Sequence, residues 1–100
     1  MLAEQSSNDS VQQTVVYIVE DLIQDWGLDL EEPVAGHTRL AKDLDFVSVD
    51  FIQFLVAIEQ HYERKFGFQD LVMENGNYVS DLTIAEIVEF VGKALRNEDS

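Results

Sequence analysis

The residues best able to do chemistry lie in one run, Asp43-Leu44-Asp45-Phe46-Val47-Ser48-Val49-Asp50. It sets one hydroxyl among three carboxylates. Three chemistries are open to such a set: cation binding by the acids, attack by the serine, or modification of the serine by another enzyme. An EF-hand calcium loop needs an oxygen ligand at its fifth position and glycine at its sixth. Counted from Asp43, those positions hold Val47 and Ser48, so the pattern does not fit. His37 and His61 have no metal-ligand spacing and no evident tie to Ser48. A serine without a neighbouring base is a poor nucleophile, which suits a residue modified by a second enzyme better than one that attacks substrate. No nucleophile–base–orienter set and no phosphate-cradling glycine loop accompanies it.

Such a serine needs an element to present it. Phe51, Phe54, Leu55, Ile58 and Tyr62 recur at helical spacing and predict a helix from about residue 48 to 63 with one buried face. Val49, Ile52 and Val56 form a second row, displaced around the cylinder. That row is either extra core or a surface kept apolar for a partner. Ser48 stands at the start of this helix. It can act there as an N-cap, worth about 1 kcal/mol, with Asp45 as a competing cap. No Glu or Gln stands three residues after Ser48 to complete a capping box.

This run, followed by an apolar helix carrying Glu59, resembles the acyl carrier proteins. That family's pattern is Asp-Leu, a short gap, then Asp-Ser-Leu-Asp at the start of the second helix. Asp43, Leu44, Ser48, Asp50 and Glu59 agree with it. Val47 replaces the aspartate that usually precedes the serine, Val49 replaces leucine, and Gln53 stands where glutamate is common. The resemblance covers roughly residues 11–95. It implies an all-α fold: a small four-helix bundle of three main helices and a short third one, with a long loop between the first and second. It also implies that Ser48 carries 4′-phosphopantetheine, taken from coenzyme A, and that an acyl group rides on its thiol as a thioester. The chain would then be a carrier in fatty-acid or specialised lipid or secondary-metabolite synthesis, and no enzyme itself. The implied partners are a phosphopantetheinyl transferase and acyl-transferring and ketosynthase-type enzymes with basic docking patches. Asp43, Asp45, Asp50 and Glu59 would meet those patches, and Val49, Ile52 and Val56 would supply the apolar contact. The competing reading is an acidic helical adaptor without prosthetic group, in which Ser48 only caps the helix.

Composition narrows the partners. One hundred residues make one domain. Twenty acids against six bases give a net charge of −14, and residues 1–38 hold no Lys or Arg. Direct binding of nucleic acid or an anionic membrane needs cations, and six bases against twenty acids disfavour it, whereas a basic protein surface suits the chain. There is no cysteine, so any thiol would have to come from a prosthetic group. No apolar run approaches a membrane span and the N-terminus carries no signal-peptide pattern, so the expected setting is the cytoplasm. A chain that runs from Met1 to the polar tail Arg96-Asn97-Glu98-Asp99-Ser100 reads as free-standing, and a monomer is expected.

The other elements follow from spacing. Residues 1–9 are polar and predict a flexible tail, residues 10–96 the domain, and residues 97–100 a second tail. Asp9 or Ser10 can cap a first helix whose apolar positions run from Val11 to Ile23 and on to Trp26, read as a core plug, before Gly27 stops it. Residues 27–44 read as a loop pinned by Leu28, Leu30, Val34 and Leu40, with His37 solvated. Arg64 and Lys65 close the second helix. Asn75-Gly76 is a turn with a short helical turn expected on either side. Thr83-Ile84-Ala85-Glu86 is a capping box that opens the last helix, whose stripe is Ile84, Ile87, Val88, Val91 and Leu95.

Overall fold

A computed structural model describes residues 2–74, 77–78 and 81–97. They are mostly helical. The three long helices are α1 (Leu2–Ile23), α3 (Ser48–Tyr62) and α5 (Ile84–Asn97); the two short ones are α2 (Leu40–Leu44) and α4 (Gln69–Val72). Two-residue strands β1 (Met73–Glu74) and β2 (Asn77–Tyr78) pair antiparallel, with Met73 opposite Tyr78. None of the described helices is long and apolar enough to cross a membrane.

α1 packs mainly against α5 and also against α3. The apolar spacing explains which faces meet. Val15 and Val19 of α1, Phe54 and Ile58 of α3, and Ile84, Ile87 and Val91 of α5 are fully buried, with Leu40 and Leu44 of α2 among them. An aromatic chain, Tyr62–Phe66–Phe68–Phe90, links the end of α3 to α5 through ring contacts of 5.4–5.7 Å.

Four expectations are corrected. α1 begins at Leu2, so Asp9 and Ser10 lie inside it and cap nothing. Residues 2–22 hold neither Gly nor Pro, and Leu2, Ala3, Glu4 and Gln5 are good helix formers, so nothing breaks the helix at the polar stretch. The segment 27–44 is not all loop, because its last five residues form α2. Leu40 and Leu44 of that helix are buried and Val34 pins the rest, while Leu30 stays exposed. α3 stops at Tyr62, with Glu63 in the left-handed region (φ 58°), so Arg64 and Lys65 lie beyond it. Arg64 sits over the Phe66 ring at 4.7 Å. Finally, α4 supplies the short helix before Asn75-Gly76, but Asn77 and Tyr78 after it are extended. Asn75, Gly76 and residues 98–100 lie outside the described residues, as does most of the expected C-terminal tail.

α2 is too short to persist on its own backbone bonds. Its N-terminus is held by two carboxylates, one of its own and one from far along the chain. Asp81 accepts from Ala41 N (2.8 Å) and Lys42 N (3.1 Å), and Asp43 Oδ2 accepts from Arg39 N (2.8 Å). Leu40 N also donates to Leu82 O (2.9 Å). The loop before α3 is therefore fastened to the segment before α5.

Candidate functional site

Ser48 is the first residue of α3, and the N-cap is Val47, not Ser48. The capping interpretation of the serine is thereby corrected. The acid three residues after the cap is Asp50. Its Oδ2 accepts from Val47 N at 2.9 Å, which is one arm of a capping box. The other arm is missing, because valine has no side-chain acceptor. The Ser48 side chain is exposed and its hydroxyl makes no hydrogen bond among the described residues. The amides of Ser48 and Val49 likewise find no acceptor among them. The first turn of α3 thus offers a free hydroxyl and free N–H donors at the positive end of the helix dipole.

The chain reaches Ser48 through a packed approach. α2 ends on Asp45, in the left-handed region at φ 62°, a conformation Asp tolerates better than most residues. Phe46 then turns inward and is buried. Its ring meets Trp26 (5.5 Å), Phe51 (5.6 Å) and Phe54 (5.9 Å). Phe46 precedes the N-cap and Phe51 is the fourth residue of the helix, so this pair is a hydrophobic staple that fixes the entry angle. The sequence reads Trp26 as a core plug, and the structure corrects this. Trp26 is 37% exposed and leans on Phe46 beyond the end of α1 instead.

The second row of α3 is surface. Val49 is 54% exposed, Ile52 60% and Val56 43%, while Phe54, Leu55 and Ile58 on the other face are buried. Ser48, Ile52 and Val56 stand at successive four-residue intervals, so the hydroxyl heads the exposed apolar row. At 1.5 Å rise per residue, Val56 lies about 12 Å along the axis from Ser48 and Glu59 about 16 Å.

The expected docking acids divide. Asp45 is exposed and its carboxylate makes no bond among the described residues. Asp43 is exposed but holds Arg39 N, and Asp50 is half-buried and holds Val47 N. Glu59 is half-buried, and its Oε2 accepts from Phe66 N at 3.0 Å, tying down the turn after α3. Three of these four side chains therefore brace backbone while contributing charge, Asp43 at the start of α2 and Asp50 and Glu59 at the two ends of α3. Asp81, which grips α2, and Phe46, the staple, were not singled out from the sequence. The staple was legible as an apolar residue five positions before another at a helix start. Asp81 was not, because its targets lie 39 and 40 residues away.

His37 pairs with Glu32 at 3.0 Å on the exposed loop. That loop roofs a cleft of about 440 Å³ lined by acids, Val34, Thr38 and Lys42, to which the serine run contributes only Asp43.

No protein-family model matches the chain, and neither a curated protein nor a solved structure matches it.

Proposed function

We propose that this chain is an acyl carrier of the acyl-carrier-protein type, with Ser48 as the attachment site of 4′-phosphopantetheine. The observation that carries this reading is the exposed, unengaged Ser48 hydroxyl at the first position of a long helix, heading an exposed apolar row. On this reading α1, α3 and α5 are the main helices of a four-helix bundle, and α4 is its short third helix.

The residues present fit the group. An anionic phosphodiester at Ser48 would stand beside the free Ser48 and Val49 amides, at the end of α3 that favours negative charge. When bound, the group supplies the thiol that this cysteine-free chain lacks and so allows an acyl thioester. The Ser48 oxygen forms a P–O bond to the phosphopantetheine phosphorus of coenzyme A, the pyrophosphate P–O bond breaks, and 3′,5′-ADP leaves. The hydroxyl proton passes to a base on the transferring enzyme, since none stands beside Ser48. Asp43, Asp45, Asp50 and Glu59 give partners an acidic rim, and Val49, Ile52 and Val56 an apolar centre. Contacts weighted towards charge raise the on-rate more than residence time, which suits a carrier serving several enzymes in turn.

The test is intact mass after incubating the protein with coenzyme A and a phosphopantetheinyl transferase. The expected result is a gain of one phosphopantetheine in the wild type and none in Ser48→Ala. The variant should keep its stability within about 0.5 kcal/mol, because an exposed, unbonded hydroxyl is removed. No gain with any transferase, including those of the source organism, would leave the acidic adaptor as the better reading of the same apolar row.

A further inference from the structure

Val47 occupies a position where a different residue would serve the fold better. It is the N-cap of a 15-residue helix, yet its side chain cannot accept from the first-turn amides. Valine is among the poorest N-caps, and Ser, Thr, Asn and Asp are the best. Nor is it placed there to pack, since it is 60% exposed. The anchoring at this junction is done by its neighbour Phe46 and by its own backbone, which bonds Asp50 and Phe51. A residue that neither caps nor packs, and that sits beside the one free hydroxyl of the site, violates local rules where functional sites commonly do.

Its surroundings say what meets it. Val47 and Val49 flank Ser48 in the chain, and Ile52 follows on the row that Ser48 heads, all exposed. Between Lys42 and Arg64 the chain holds no Lys or Arg, and the acids Asp43, Asp45 and Asp50 fall within five residues of Ser48, so the charge flanking this patch in the chain is predominantly negative. A second copy of the chain would bring a like-charged rim against it, with −14 on each molecule. A partner with an apolar centre and a basic rim meets both features.

Resting on the carrier reading above, we infer that Val47 is the specificity-determining residue of the Ser48 site. The enzyme that modifies Ser48 receives positions 47, 49 and 52 on an apolar surface, with cations placed outside it for Asp45 and Asp50. An acid at position 47 would be desolvated against that surface without a partner.

The experiment measures initial rates of Ser48 modification by the purified transferases of the source organism, with coenzyme A, for the wild type, Val47→Asp and Val47→Ile. Thermal midpoints and sedimentation are recorded for each. Val47→Asp should gain a cap and hold or raise its midpoint, by up to about 4 °C. Its kcat/KM should nevertheless fall about tenfold or more, chiefly through KM, as lost docking predicts. Val47→Ile should stay within about twofold of the wild type, because it preserves the apolar contact. Wild-type rates in a stable Val47→Asp would overturn the inference and leave the carrier reading intact. A wild-type chain that no transferase modifies would remove the carrier reading itself. A wild-type dimer that Val47→Asp splits would assign the patch to a second copy and overturn the inference by another route.

Discussion

The entrances of α3 and α5 are built on one plan and finished differently. Each has an acid at the third helical position that accepts from the cap residue's amide: Asp50 to Val47 N at 2.9 Å, and Glu86 to Thr83 N at 2.8 Å. Each has a buried apolar residue just before the cap, Phe46 and Leu82. At α5 the plan is completed, because Thr83 Oγ1 accepts from Glu86 N at 3.1 Å. The first and fifth positions, Ile84 and Val88, then go into the core. At α3 the cap is a valine, the first position is an exposed serine, and the fifth, Ile52, is 60% exposed where Val88 is 7%. The fold shows that it can close a helix entrance with its own groups. The α3 entrance is left open, with apolar side chains and a free hydroxyl outward, and on the proposed reading that is where another molecule makes contact.

The sharpest way to break this comparison is at the first helical position. Ile84→Ala removes a fully buried side chain and should cost about 2–5 kcal/mol in urea or thermal unfolding. Ser48→Ala, at the matching position, should be close to neutral for stability and, on the proposed carrier reading, should abolish modification. If the two cost the same, Ser48 would be part of the fold, and the contrast between the entrances would fail.

Exchanging the caps tests the plan more finely, because Val and Thr have nearly the same shape. Thr83→Val should lose about 1 kcal/mol as the Glu86 amide loses its acceptor. Val47→Thr should gain up to about 1 kcal/mol by supplying the acceptor that α3 lacks. Paired denaturation curves would read both. A Val47→Thr variant that loses stability would mean that the valine is packed in solution and that α3 is not under-capped.

How far the sequence could carry this picture depends on the range of each interaction. The Thr83–Glu86 box, the buried stripe of α5 and the inner row of α3 were legible because each is set within a few residues of itself. The exposed row was legible as a row, but not as surface: Val49, Ile52 and Val56 would read the same under a neighbouring helix. α2 was hidden because five residues carry too little periodicity, and its stability comes from Asp81, far along the chain. The start of α1 is not legible in the sequence because a polar stretch reads as a tail, although polarity without Gly or Pro does not stop a helix. Ser48 stands out in the sequence through its neighbours. That it lies past the cap does not, since Ser at a helix start points to the cap position more strongly than Val does.

The smallest expected effect bears on the fifth position. Ile52→Gln removes an exposed β-branched residue and installs a better helix former, so unfolding free energy should stay within about 0.5 kcal/mol of the wild type. Were Ile52 core, an unpaired buried amide in its place would cost several times that. A near-zero change therefore separates surface from core at the position where α3 and α5 diverge most. With the fold held constant, any slowing of Ser48 modification in this variant reports contact made by the side chain itself. Because α3 holds Ser48 and Ile52 one turn apart, a partner that reaches the hydroxyl covers Ile52 as well, and a stable variant modified at the wild-type rate would show that the partner approaches from another side.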